Sequence, residues 1–254
     1  MMNVTQLYRF LNENIPASLS CEWDNDGLMC CPDAEKEVSR VLVTLDITAE
    51  AVEQAKKERC DVIISHHPLI FKGIKAITPA SCVPAKAIEL IKHGISAMSF
   101  HTRLDALEGG VNDTLAEKLG VKNAVPFGDE AIGRIGTLDA PMALDKFAAL
   151  VKATLGAPCV LVADSGKEVQ TVALLGGEGG DDIYAARASG ADTYVSGRLG
   201  YHSMTDAPDE GMNLIEAGHF YTEFPVCDKL IELVKLADPD IECVRFFSNR
   251  IRMI

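Results

Sequence analysis

Aromatic residues are scarce. Phe, Tyr and Trp together make up 6% of 254 residues, with a single Trp. That argues against a stacked aromatic platform for single-stranded nucleic acid. Positive charge is also short, with 24 Lys and Arg against 37 Asp and Glu and a formal net charge of −13. Sequence-independent binding to a phosphate backbone needs the opposite sign, so nucleic acid is not the expected partner. A small anionic molecule stays open, because a bound cation reverses the local sign.

No apolar run approaches the roughly 20 residues of a membrane span. Met1-Met2-Asn3-Val4-Thr5-Gln6 lacks the basic-then-apolar order of a signal peptide. The expectation is a cytoplasmic protein with no membrane partner. None of the eight cysteines falls in a Cys-x-x-Cys pair, which predicts reduced, mostly buried thiols with Cys30-Cys31 as packing residues. No Gly-x-Ser-x-Gly elbow occurs, so a serine or cysteine nucleophile is unsupported. The run Gly176-Gly177-Glu178-Gly179-Gly180 lacks the Lys-Ser/Thr of a phosphate loop and the spacing of a dinucleotide fingerprint. It reads as a tight strand-to-helix turn.

What is present is an alternation of apolar runs and helical patterns, which predicts α/β architecture. Val41 to Leu45, Asp61 to Ser65 and Ile95 to Phe100 read as strands in the first half, with Thr48 capping a helix from Ala49 to Glu58. In the second half Thr171 to Leu175 and Ala191 to Ser196 read as strands around a helix, Asp181 to Ala188. The two units superpose without a gap at an offset of 131, Asp61 on Asp192 and Ser65 on Ser196. This predicts two α/β modules of similar topology, the second inserted in the first. The expected division is 1–128 plus 213–254 for the first domain and 129–212 for the insertion. Asn213 to Gly218 reads as a strand returning to the first module, followed by a helix from Thr222 to Leu236.

The chain has six histidines, and four lie just beyond a predicted strand: His66, His67, His101 and His219. Open α/β sheets place their active sites at those carboxyl ends. Two segments share the form His-x-x-x-acid, ending in Asp105 and Glu223. Imidazole with carboxylate suits zinc, manganese, iron, nickel or cobalt rather than a pure calcium or magnesium cage. Consecutive side chains of an extended backbone point to opposite sides, so His66 and His67 are expected to serve different metals. The bland alternatives are a chance doublet at 66–67 and simple helix N-terminal acids at Asp105 and Glu223. His93, at a helix end, reads as structural, and His202 as a loop residue.

Glu22-Trp23-Asp24-Asn25-Asp26-Gly27-Leu28, Ser65-His66-His67-Pro68-Leu69-Ile70-Phe71, His101-Thr102-Arg103-Leu104-Asp105 with Gly109 to Asp113, and Gly218-His219-Phe220-Tyr221-Thr222-Glu223 resemble, in order and spacing, the NIF-three-like family. Its bacterial members are labelled dinuclear metal-centre proteins or GTP cyclohydrolase type 2-like homologues. The resemblance implies a toroidal homohexamer of two-domain chains and two divalent metal ions per chain. By analogy His67 and Asp105 hold one metal, His66 and His219 the other, and Glu223 bridges. His101 is then a proton shuttle or a neighbour of the metals, and Trp23, Asp24 and Asn25 form a turn near them. Where family members often carry an acid after Gly197, this chain has Arg198. The functional expectation is a metal-dependent hydrolase acting through activated water on a small molecule, a nucleotide among the candidates. The rival is a non-enzymatic metal-binding or regulatory scaffold.

Overall fold

Val41 to Val43 and Val62 to Ile64, two runs that are apolar on consecutive residues, become neighbouring parallel strands in which every one of these side chains is fully buried. Strands covered on both faces read as continuous apolar runs rather than as alternations. The computed structural model describes residues 2–252 and 254. Its strands are β1 (Gly27–Cys30), β2 (Arg40–Thr44), β3 (Val62–Ser65), β4 (Ser96–Ser99), β5 (Lys122–Phe127), β6 (Gly133–Met142), β7 (Leu161–Ala163), β8 (Val169–Glu178), β9 (Thr193–Arg198), β10 (Asn213–Glu216) and β11 (Glu242–Phe246).

Two compact units result. The first comprises the chain up to Leu104 together with Val226–Arg252, and the second is built from Asp105–Pro225. The first unit's sheet has the order β1-β4-β3-β2-β11, parallel except for β1. Its helices include Ala49–Lys57 and Cys82–Lys92. Thr48 caps the first of these as expected, its hydroxyl accepting from the Ala51 N–H at 3.0 Å. The second sheet has the order β5-β6-β8-β9-β10-β7, with parallel β8, β9 and β10 flanked by antiparallel neighbours.

The internal repeat is present at the level of single residue pairs. Val41 pairs with Val62 in the first sheet and Val172 with Thr193 in the second, both at the 131 offset. The fold is therefore α/β, with two similar modules.

Several boundaries differ from the sequence reading. β10 does not return to the first module. It lies parallel to β9 in the second sheet, and only the stretch from Val226 rejoins the first unit. A short crossover between consecutive parallel strands favours this neighbour pairing. The expected single helix from Thr222 to Leu236 is two helices, His219–Glu223 and Val226–Ala237, separated at Phe224-Pro225. Pro225 lacks an N–H for a continuous helix. Gly176 and Gly177 are not turn residues: β8 runs through them to Glu178. The thiols form no disulfide among the described residues, but only Cys60 and Cys227 are buried and Cys82 is exposed. No helix of the described residues is long and apolar enough to cross a membrane.

Candidate metal centre

In the first unit β3 ends at Ser65 and β4 at Ser99, so adjacent parallel strands deliver His66-His67 and His101 from the same sheet edge. The backbone bends at His66 and His67 instead of continuing as strand. The two rings consequently lie side by side, centroids 5.0 Å apart, rather than on opposite faces as an extended backbone would put them. His101 joins them at 5.3 and 5.6 Å. One ring nitrogen from each of the three lies within 4.8 Å of the others.

Each imidazole is oriented by an acceptor on its Nδ1. His66 Nδ1 lies 2.9 Å from the Phe100 carbonyl oxygen, His67 Nδ1 2.7 Å from Asp46 Oδ1, and His101 Nδ1 2.8 Å from Asp24 Oδ1. A carbonyl or carboxylate can only accept, which places the proton of the neutral ring on Nδ1 and the lone pair on Nε2. Metal-ligating histidines are held in the same way, and the outer partner fixes both tautomer and direction.

The supporting acids are themselves fixed. The Asp24 side chain is fully shielded from solvent and also accepts from the Thr102 N–H and hydroxyl, at 3.0 and 2.7 Å. Burial works to raise its pKa, but hydrogen bonds from His101 and Thr102 outweigh it and hold the carboxyl well below the usual range. Asp26 accepts from the His101 N–H at 3.0 Å and from Arg103 Nε at 2.8 Å. Arg103, 1% exposed, also donates to Asn12 Oδ1 and the Ile15 carbonyl and lies over the Phe100 ring. Ser248, past β11, bonds Asp46 through both its backbone N–H and its carboxylate. The Trp23-to-Gly27 turn is thus the cradle of the His101 segment, more than the nearby turn the sequence suggested.

In the second unit Asp105 and Glu223 are 7% and 5% exposed, and each offers a carboxylate oxygen within 4.8 Å of the other's. Two buried carboxylates so close repel unless a cation or proton lies with them. His219 Nε2 lies 3.1 Å from Glu223 Oε2. The glycines of β8 and β9 make room for this pair. A Cβ at Gly177, whose φ is +71°, would collide with Glu223 Oε1 and sit 3.2 Å from His219 Nε2, and one at Gly197 would sit 2.6 Å from the His219 Cα. Gly177 N–H donates to Thr222 Oγ1 at 3.0 Å, and Asn112 joins Gly176 N–H to the Asp105 carbonyl. The glycine run therefore serves close packing against the His219–Glu223 helix.

The first unit gathers His66, His67 and His101, and the second gathers Asp105, His219 and Glu223. His93 stays apart, its Nδ1 2.8 Å from the Glu89 carbonyl, and His202 lies against Tyr201. Arg198 is exposed and pairs with Glu178 at 3.3 Å. A cleft of about 430 Å³ in the second unit is lined by His219, Arg198, Tyr201, Met204 and Leu161. Sequence reading missed Asp46, and it named Asp26 and Arg103 only as motif residues without a role. An acid just after a buried strand, as Asp46 follows β2, was the available signal for one of them.

Each set by itself suits a divalent transition metal, the first unit by nitrogen lone pairs fixed in direction and the second by buried carboxylate charge beside an imidazole. A protein of Clostridium perfringens named GTP cyclohydrolase 1 type 2 homolog is 34% identical over 251 residues, 96% of this chain and 95% of that protein. A Staphylococcus aureus hypothetical protein of known structure superposes with a TM-score of 0.89 at 28% identity, covering 100% of this chain and 99% of its own. A Bacillus cereus protein related to NIF3 shares the fold, with a TM-score of 0.90 at 23% identity over 100% and 99% of the two chains. The Duf34/NIF3 (NGG1p interacting factor 3) family model matches residues 2–251, and the chain belongs to that family.

Proposed function

We propose that this chain is a dinuclear metal-dependent hydrolase of small molecules. His66, His67, Asp105, His219 and Glu223 hold two divalent cations per chain, drawn from zinc, manganese, iron and nickel. The observation that carries the reading is the common arrangement of the three first-unit imidazoles, each with Nδ1 committed to an acceptor. Bound cations of this kind lower the pKa of water and stabilise developing negative charge.

The protein's own residues supply position and proton handling. Glu223, buried beside Asp105, would offer its carboxylate to the bound cations. His101 acts as general acid or base. Its Nδ1 proton rests on Asp24, so Nε2 can take a proton and pass it to a leaving group while the carboxylate stabilises the imidazolium. The substrate class is a nucleotide, a reading supported by the name that the curated relatives carry. Assembly into a cytoplasmic homohexamer belongs to the same proposal, and sedimentation of the purified chain tests it.

The activity test is direct. Protein loaded with manganese, zinc or iron is expected to turn over at least one of GTP, other nucleotides or simple phosphoesters, and Glu223→Ala to abolish that turnover. If no substrate rises above the variant's background while metal is bound, the chain is a metal-holding scaffold instead.

A further inference from the structure

Two exposed aromatic residues of the first unit, Trp23 and Phe71, stand together. Trp23 is 57% exposed and Phe71 45%, and the two meet edge to face with centroids 6.2 Å apart and planes at 77°. Both also meet His101 edge to face, Trp23 at 6.3 Å and 79°, Phe71 at 5.9 Å and 89°. Three rings therefore stand nearly perpendicular to one another, with His101 as the inner member. Aromatic side chains left in solvent forgo the hydrophobic stabilisation that burial would give. Here one of them is the single Trp of a chain poor in aromatics.

The two rings are also held in place. Trp23 adjoins Asp24, whose carboxylate is fixed by His101 and Thr102. The Asn25 side-chain amide donates to the Ile70 carbonyl, tying the turn that carries Trp23 to the residue before Phe71. A wall ordered before a ligand arrives does not lose conformational freedom on binding.

We propose that Trp23 and Phe71 form a stacking wall for a flat heteroaromatic ring of the substrate, which brings the bond to be cleaved beside His101. The inference rests on the hydrolase reading for what happens there, and on ring geometry alone for what binds. Two perpendicular aromatic faces give a planar ring one stacked contact and one edge contact together. An organic cation is disfavoured, because Lys72 follows Phe71 on the exposed segment and the centre beside the wall is built to hold cations.

Because Trp23 is the single Trp, its emission reports on this wall alone. Metal-loaded protein is titrated with guanosine, adenosine and nicotinamide, and separately with ribose 5-phosphate and inorganic phosphate. At least one planar heterocycle is expected to quench the emission saturably, whereas ribose 5-phosphate and phosphate leave it unchanged. By calorimetry, Phe71→Leu and Trp23→Ala should each weaken that heterocycle at least tenfold with metal content retained, and Phe71→Tyr should restore it. The proposal is overturned if no heterocycle binds, if ribose 5-phosphate quenches as strongly, or if both truncations bind as the parent does. The two readings fail separately. Ring binding without turnover removes the hydrolase and keeps the wall, and turnover with unchanged KM in both truncations does the reverse.

Discussion

Asp61 and Asp192 perform the same task in their respective units. Asp61 accepts from the backbone N–H groups of Ser39 and Arg40, at 2.8 and 3.1 Å, and Asp192 from those of Gln170 and Thr171, at 3.1 and 2.7 Å. Each also bonds through its backbone to both neighbouring strands. Asp61 N–H reaches the Arg40 carbonyl and Asp192 N–H the Thr171 carbonyl, while Ser96 and Asn213 return N–H groups to the two aspartate carbonyls. One acid at the start of the central strand thus pins the entry of the strand beside it, twice in one chain.

Replacing either acid should destabilise its unit. Asp61→Ala and Asp192→Ala each leave backbone donors without their charged acceptor, a loss of about 1–3 kcal/mol. Denaturant unfolding is expected to show both, and an unchanged midpoint for either would contradict the assignment.

Asp61 also predicts a pH dependence. Burial pushes its pKa up, but Ser39, Lys36 and Arg40 together outweigh this and leave it below the ordinary carboxylate value. A depressed pKa in the folded state stabilises above the unfolded value of about 3.9. That contribution is lost as pH falls through the lower, folded value. Asp61→Asn should flatten the acid limb of stability against pH, measured by urea midpoints between neutral and acidic pH.

Metal binding should depend on a residue that ligates nothing. Elemental analysis of the parent is expected to find close to two metals per chain, with losses in His67→Ala and Glu223→Ala. Gly177→Ala should lose metal too, because the new methyl occupies the space of Glu223 Oε1. Full occupancy in a folded Gly177→Ala protein would show that Glu223 is not a ligand.

Asp24→Asn tests the orientation of His101. An amide in place of the carboxylate no longer stabilises a charged imidazolium and can favour the other tautomer. Turnover should fall about 10–100-fold with metal content kept, and the pH–rate profile should shift. Loss of metal instead would make His101 a ligand, as its closeness to His66 and His67 permits.

The buried pair of Arg103 and Asp26 should matter for stability more than any surface ion pair. Removing one partner of a buried pair leaves an uncompensated charge, typically a loss of about 3–5 kcal/mol. Arg103→Met is expected to lower the unfolding midpoint sharply, and Arg245→Met, half exposed at its pair with Asp228, to change it little.

The α/β class, the repeat and the ligand candidates were all legible in the linear chain. Local rules fix them: an apolar run makes a buried strand, and residues just past its end fall at the carboxyl edge of the sheet. The 131 offset was visible for the same reason, since the register of β2 on β3 recurs in β8 on β9. Tertiary structure decided what depends on partners distant in sequence. β10 joined β9 because of which edge was open to it, and the chain crossed back only after Pro225. The bend at His66-His67 set the two rings side by side, a geometry no period-two pattern contains. Asp24 and Asp46 became orienting groups because folding brought them 77 and 21 residues along the chain to His101 and His67. The need for glycine at 177 appeared only once Glu223 occupied the space where a side chain would be.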